Sequence, residues 1–104
     1  MKYLHFGVPT TNEKEWVAYI DELGVRVTEP ASDPFGIEWL RFDVDSPMHE
    51  LIKTRPHVAF IVDDLDAALL GKTVLLPPFN TGPGSRIAFI DNDGAIIELA
   101  ESKS

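Results

Sequence analysis

Two short apolar segments, each with a histidine at its second position, occur 52 residues apart in this chain. The first is Leu4-His5-Phe6-Gly7-Val8, and the second is Pro56-His57-Val58-Ala59-Phe60. Both segments are typical of β-strands, and each is followed by a similar series of predicted elements. Duplication of one small module is the simplest explanation. It places the two histidines at equivalent positions in two similar units.

The first half predicts a strand, a helix and three further strands. Residues 2–8 alternate as a strand does, so that His5 points away from the bulkiest apolar side chains. Thr10 and Glu13 have the spacing of a capping box, and Gly24 follows as a helix terminator. Between them, apolar residues recur at helical intervals, namely Trp16, Val17, Ile20 and Leu23. We therefore predict a helix of about three turns over residues 10–23. Strands are predicted at 25–28, 37–44 and 49–54.

The second half predicts the same order of elements. Residues 57–62 predict a strand, and the run Asp63-Asp64-Leu65-Asp66 predicts the start of a short helix that ends at Gly71. Strands follow at 73–76, 86–90 and 95–100, and the turn Asp91-Asn92-Asp93-Gly94 joins the last two. The segment 77–84 is expected to form a lid or rim, although a plain hairpin connection explains it equally well. We therefore predict an α+β domain over residues 1–104, built from two tandem βαβββ modules at about 1–54 and 55–104.

Composition limits the partners and the kind of site. Seventeen acidic and nine basic residues give a formal net charge of −8, which repels nucleic acid and anionic membranes. A small molecule or another protein is therefore the expected partner. The chain has no cysteine, so nitrogen and oxygen atoms must hold any metal. We find no signal-peptide core and no apolar run long enough to span a membrane, so a cytoplasmic location is expected.

His5, His57 and Glu98 form a set of two histidines and one carboxylate, each within a predicted strand. Two imidazoles and a carboxylate suit a divalent transition metal and leave positions open for a substrate. A buried histidine with a single hydrogen bond is a common alternative for either imidazole. Glu98 has large aliphatic residues on both sides, and a buried carboxylate needs a partner. That partner is a metal, Arg86 or Arg41.

Two segments of the second half have a specific pattern. They are His57-Val58-Ala59-Phe60-Ile61-Val62-Asp63-Asp64-Leu65-Asp66-Ala67-Ala68 and Ile87-Ala88-Phe89-Ile90-Asp91-Asn92-Asp93-Gly94-Ala95-Ile96-Ile97-Glu98-Leu99-Ala100-Glu101. In this order they resemble the vicinal oxygen chelate superfamily, the fold of glyoxalases, bleomycin-resistance proteins and extradiol dioxygenases. The resemblance implies that the two βαβββ modules form a curled mixed sheet around a shared cavity. Side chains that point into this cavity are then expected to hold a divalent ion.

The resemblance also implies roles for individual residues. His5, His57 and Glu98 match the metal triad of this superfamily, and Glu50 lies where glyoxalase I has a fourth ligand. The ion is expected to be zinc, nickel, manganese or iron. Glu98 and Glu50 are the candidate catalytic residues, because a carboxylate ligand that loosens from the ion can act as a general base.

The implied activity is that of a metal-dependent enzyme that chelates a small oxygen-rich substrate through two oxygens. Isomerase, lyase, ring-opening transferase and dioxygenase reactions all occur on this fold. The alternative is a metal-free protein that sequesters a drug or metabolite, as bleomycin-resistance proteins do. Candidate substrate-binding residues are Arg41, Trp39, Phe79 and Arg86, for which surface ion pairing and core packing are equally good explanations. A homodimer is expected, because a second chain often completes the cavity in this superfamily.

Overall fold

A computed structural model describes residues 1–103 of the chain. These residues form eight β-strands and two short α-helices. The strands are β1 (Lys2–Pro9), β2 (Ala18–Ile20), β3 (Val25–Val27), β4 (Ile37–Phe42), β5 (His57–Ile61), β6 (Thr73–Gly82), β7 (Ser85–Asn92) and β8 (Ala95–Ser102). The helices are α1 (Glu50–Thr54) and α2 (Leu65–Ala68), and 3₁₀ turns lie at Asp21–Leu23 and Pro30–Ser32. Ser104, the last residue of the predicted domain, lies outside the described residues.

All eight strands belong to one curled sheet in the order β2-β3-β4-β1-β5-β8-β7-β6. In the first half, β1 pairs parallel with β4, and β3 pairs antiparallel with both β2 and β4. In the second half, β5 pairs parallel with β8, and β7 pairs antiparallel with both β6 and β8. The halves meet where β1 and β5 pair antiparallel at the centre. The predicted α+β class and curled mixed sheet are confirmed, and the pairing order is the same in the two halves.

Two predicted elements of the first half are wrong. The helix predicted over 10–23 is replaced by an irregular segment, by β2 and by a 3₁₀ turn. The N–H of Val17 donates to the carbonyl of Val27, and Ala18–Ile20 pairs with β3. Backbone pairing with a neighbouring strand thus outweighs a modest helix propensity. The strand predicted over 49–54 is helix α1, whose first turn is capped by His49 Nδ1 accepting from the N–H of Leu51 at 3.0 Å.

The second half follows the prediction more closely. The segment 77–84 is not a lid, because β6 continues to Gly82 and forms a hairpin with β7. The pairing of β6 and β7 shifts in register between Leu76 and Phe79, where two prolines cannot donate ladder hydrogen bonds. Helix α2 begins as predicted, with the Asp64 carboxylate accepting from the N–H of Ala67. The predicted turn between β7 and β8 is also present, with Asp93 and Gly94 at positive φ.

The curl of the sheet separates two hydrophobic clusters. One lies inside the curl, where α1 adds Ile52 to side chains from both halves; its buried members are Leu23, Val25, Leu40, Met48, Ile52, Phe89 and Ile96. The other lies between α2 and the outer face of the second half and contains Leu65, Ala88, Ile90 and Leu99. The inner cluster holds the two halves together beside the central strands. No helix among residues 1–103 has the length and apolar character needed to cross a membrane.

Candidate metal centre

The central strands and their parallel neighbours place two histidines and two glutamates on the inner face of the sheet. His5 lies on β1 and His57 on β5, the pair that joins the halves. Glu38 on β4 is paired with Gly7, and Glu98 on β8 is paired with Ala59. Gly7 is two residues after His5, and Ala59 is two residues after His57. The two glutamates therefore occupy equivalent positions relative to the two histidines. Glu38 is therefore the counterpart of Glu98 in the first half.

The side chains of these four residues converge. His5 Nε2 lies 3.2 Å from Glu38 Oε1 and 3.4 Å from Glu98 Oε1. His57 Nε2 lies 2.9 Å from Glu98 Oε1. One possible ligand atom from each residue lies within 4.8 Å of the corresponding atoms of the others. This is the spacing expected of groups that surround a single ion.

Three ring nitrogens in this cluster are buried without a hydrogen-bond partner. They are His5 Nε2 and both nitrogens of His57, a residue that is only 1 % exposed. Carboxylate oxygens of Glu38 and Glu98 lie 2.9 to 3.4 Å from the two Nε2 atoms without satisfying them as hydrogen-bond partners. Buried polar atoms are nearly always satisfied in folded proteins, so these nitrogens need a partner. A metal ion fits this need for the Nε2 atom of each ring, because it binds the lone pairs of neutral imidazoles and the carboxylate oxygens together; His57 Nδ1 lies on the other side of its ring and is not satisfied by this ion.

The electrostatics of the cluster also favour a cation. Burial alone would lower the pKa of His5, but the carboxylates of Glu38 and Glu98 beside it raise that pKa to about 9. Burial alone would raise the pKa of Glu98, but the two imidazoles lower it to about 2. Two carboxylates in a buried site require positive charge nearby. In the metal-free chain a proton on His5 supplies it.

Two neighbours fix the orientation of the His57 ring. A Cβ atom built on Gly7 would overlap this imidazole, so a residue without a side chain is needed at that point of β1. On its other side, the ring meets Phe89 edge to face, with centroids 5.0 Å apart and an interplanar angle of 82°. His57 is thus held in place by packing rather than by hydrogen bonds.

A cavity of about 180 Å³ adjoins the four-residue cluster. Glu38 and Glu98 line it together with apolar side chains of both halves, and Thr81 of β6 lies at its exposed margin. The cavity is thus polar at the cluster and apolar elsewhere. A small ligand that enters it can place oxygen atoms at the cluster and carbon atoms against the wall.

Of the four residues predicted as ligands, the structure brings together His5, His57 and Glu98 but not Glu50. The prediction that Glu50 lies on the last strand of the first module is wrong. Glu50 begins helix α1, is exposed, and lies 3.7 Å from the ammonium group of Lys53. Glu38 takes the fourth place in the cluster.

None of the four predicted substrate-binding residues is among the residues that line the cavity. Trp39 and Arg41 alternate with Glu38 along β4, so their side chains are on the outer face. There the Trp39 Nε1–H donates to Asp33, and Arg41 pairs with Glu13.

Arg86 and Phe79 lie on opposite faces of the second half. Arg86 bridges Asp66 of α2 and the buried carboxylate of Glu101, beneath the helix and away from the cluster. Phe79 packs against the inner cluster beside the cavity. Among the four, Phe79 is thus the one that packs on the inner side of the sheet.

Glu38 is not among the ligands predicted from the sequence, although the sequence contains a signal for it. Ile37-Glu38-Trp39-Leu40 has the same pattern as Ile97-Glu98-Leu99-Ala100, a glutamate after an isoleucine within an apolar strand. The assignment of 49–54 as the last strand of the first module concealed this match. With 37–42 as the last strand, the repeat itself identifies Glu38 as the equivalent of Glu98.

Comparison with known proteins agrees with this architecture. A hypothetical protein of Bacillus halodurans C-125 superimposes with a TM-score of 0.66 at 17% identity, covering 99% of this chain and 95% of that protein. Methylmalonyl-CoA epimerase of Mycobacterium tuberculosis superimposes with a TM-score of 0.61 at 24% identity, covering 99% and 89%. The chain has the vicinal oxygen chelate fold. No protein-family profile and no curated protein sequence matches the chain. Because the vicinal oxygen chelate fold supports unrelated reactions, these likenesses establish the fold and leave the reaction to the site.

Proposed function

We propose that this chain is an enzyme that binds one divalent metal ion through His5, Glu38, His57 and Glu98 and acts on a small oxygen-rich substrate. The observation that carries the proposal is the convergence of one ligand atom from each of four buried or half-buried residues, of which His5 Nε2 and His57 Nε2 are buried without hydrogen bonds. Zinc, nickel, manganese and ferrous iron all accept two imidazoles and two carboxylates. When bound, the ion supplies a Lewis acid that polarises oxygen atoms of the substrate.

The two glutamates are the candidates for proton transfer. Glu38 and Glu98 reach the cluster from different halves, and both line the cavity. One carboxylate can remove a proton from a carbon of a bound substrate and then, as the protonated acid, return it; return to the opposite face needs the other glutamate in its protonated form. This arrangement favours isomerisation or epimerisation among the reactions known for the fold. The likeness to methylmalonyl-CoA epimerase supports the same class of reaction.

A metal-free binding protein is the second candidate, and one observation favours it. With a pKa of about 9, His5 carries a proton at neutral pH in the metal-free chain and compensates part of the negative charge of the glutamates. The cluster therefore has a source of positive charge without an ion. In that case the cavity would bind an apolar ligand whose polar end faces the protonated His5.

The cytoplasmic location also stays a prediction.

Elemental analysis of the purified protein separates the two candidates. We expect close to one equivalent of metal after expression in metal-replete medium, and little metal in His57→Ala. Glu38→Gln and Glu50→Gln form a matched pair, because each removes one carboxylate charge. Glu38 is the fourth residue of the cluster in the structure, and Glu50 is the fourth ligand predicted from the sequence. We expect Glu38→Gln to lower metal affinity at least tenfold, as loss of a charged ligand does, and Glu50→Gln to have no effect.

Thermal melts provide a second measurement on the same variants. Manganese, nickel, zinc or ferrous iron should raise the melting temperature of the wild type, because a ligand that binds the native state stabilises it. A chelator should reverse the shift. Wild-type protein with no metal and no shift would exclude the enzyme proposal and favour the binding protein. A circular dichroism spectrum of each variant confirms that its fold is intact.

A further inference from the structure

The cavity beside the four-residue cluster has an unusual charge balance. Among the described residues that line it, the ionisable ones are the two glutamates, and neither lysine nor arginine is present. Two carboxylates, two neutral imidazoles and a divalent ion have no net charge together. A chelating ligand with one negative charge would therefore give the occupied site a net charge of about −1. A second anionic group deeper in the cavity would be buried without a partner, which is costly.

Apart from the glutamates and Thr81, the residues that line the cavity are apolar and come from both halves. They include Val27 and Leu40 of the first half and Ile87 and Phe89 of the second, and Met48 adds a buried side chain from the loop that precedes α1. The volume of about 180 Å³ is below the range of roughly 300–1,000 Å³ found for drug-sized ligands. The space beyond the cluster is therefore sized for a short aliphatic group.

We propose that the site selects a bidentate oxygen ligand that carries a short, uncharged aliphatic substituent, held against Met48, Ile87 and Phe89. This inference rests on the metal-dependent function proposed above and specifies its substrate class. The oxygens face the cluster and the substituent fills the apolar part of the cavity. Longer chains meet the wall, and substituents that end in a carboxylate lack a cation to pair with.

Hydroxamates are suitable probes, because they chelate zinc through two oxygens without undergoing reaction. We would titrate zinc-loaded protein with acetohydroxamate, butanohydroxamate and octanohydroxamate by isothermal calorimetry. Affinity should rise about fifteenfold from the first to the second, since the chain gains two methylenes and each buried methylene contributes about fourfold. It should then rise no further for octanohydroxamate. A continued rise with chain length would indicate an open apolar surface and would overturn the proposal.

The charge preference has its own probe. Succinic monohydroxamate has a carboxylate in place of the terminal methyl of butanohydroxamate and should bind at least tenfold more weakly. Thr81 is exposed at the cavity margin, so Thr81→Lys adds a cation there with little risk to the fold. This variant should regain most of the affinity for succinic monohydroxamate, and Thr81→Met, of similar length, should not. Equal binding of succinic monohydroxamate and butanohydroxamate by the wild type would overturn the predicted preference for an uncharged substituent.

Enlarging the wall tests the size limit. Met48→Ala should shift the optimum towards longer chains, so that octanohydroxamate gains at least fivefold relative to butanohydroxamate. Met48→Leu conserves volume and should keep the wild-type order. The zinc content of each protein is measured before titration. Zinc uptake without these preferences overturns the present inference alone, whereas failure of the wild type to take up zinc overturns the proposed function and this inference together.

Discussion

Single residues determine whether the candidate centre forms, and Gly7 is the clearest case. A Cβ at this position would overlap the imidazole of His57. We therefore expect Gly7→Ala to displace the ring and to lower metal affinity at least tenfold, as loss of ligand orientation does. Gly82→Ala is the control, because it has open space around it and the backbone there is not in the left-handed region. Metal titration followed by melting temperature measures both. Equal affinities would show that β1 can move away from His57.

Glu101 gives a prediction on pH. Its buried carboxylate accepts the N–H of Leu65 at 2.7 Å and pairs with Arg86 at 3.0 Å. The hydrogen bond from Leu65, followed by the interaction with Arg86, lowers the pKa of Glu101 from 4.5. Because the pKa of Glu101 is lower in the folded state, its stabilisation is complete above the pKa of the unfolded state. The stabilisation is lost as the pH falls from that value through the pKa of the folded state. The free energy of unfolding should therefore decrease below pH 4.5 less steeply in Glu101→Gln than in the wild type.

Urea unfolding from pH 7 to pH 3 measures this difference. Glu22→Gln is the control, because Glu22 is exposed and should keep the wild-type pH profile. Parallel profiles for Glu101→Gln and the wild type would mean that other carboxylates dominate the loss of stability in acid.

Three members of the four-residue cluster were predicted from their own segments, and the fourth follows only when the two halves are compared. His5, His57 and Glu98 lie in short apolar segments that have the composition of strands, so their strands are predictable. Glu38 reaches the cluster because β1 pairs parallel with β4, a contact between distant segments. The assignment of metal-binding roles to all four residues stays a prediction that the elemental analysis above tests.

At the scale of elements, the central strands and helix α2 agree with the prediction, whereas the segments 10–23 and 49–54 do not. The segment 10–23 has helical spacing of apolar residues, yet its last part pairs with β3. The segment 49–54 is too short for its period to distinguish a strand from one turn of helix. Both errors arise because tertiary contacts decide the conformation of short segments with weak propensity.

Within residues 55–103, helix α2 is the helix that packs on the outer face of the second half, and its attachment depends on one side chain. Leu65 is fully buried between α2 and the outer face of the sheet, whereas Leu70 just beyond the helix is 78 % exposed. Leu65→Ala should lower the free energy of unfolding by about 2 to 5 kcal/mol, the usual cost of a large core truncation. Leu70→Ala should change it by less than about 0.5 kcal/mol. Chemical denaturation gives both values, and similar losses would show that α2 contributes little to stability.

At the scale of the whole molecule, the sequence repeat predicts most of the architecture, whereas the surface that would contact a partner is the least predictable feature. The offset between His5 and His57 indicates two similar halves, and the same strand order in both halves agrees with it. The way in which the halves join, through antiparallel pairing of β1 and β5, cannot be read from the repeat. It depends on the inner cluster, in which side chains distant in sequence pack together.

The outer faces of the two halves differ, and this difference bears on the predicted homodimer. Helix α2 covers the second half, but the first half lacks a helix at the equivalent place. Its outer face includes two cross-strand pairs of half-buried apolar residues, which are Phe6 with Ile37 and Val8 with Trp39. A second copy of the chain would cover this face, because apolar surface of this kind favours association.

Light scattering tests the homodimer across the micromolar range. The wild type should have twice the monomer mass of 11.6 kDa. Val8→Lys should shift the equilibrium to monomer, because it places a charge within the outer face. Val44→Lys makes the same change at a fully exposed loop residue and should leave the dimer intact. Added salt should strengthen association, since each chain carries a net charge of −8. A wild-type monomer at all concentrations, or equal effects of the two substitutions, would exclude a dimer formed through this face.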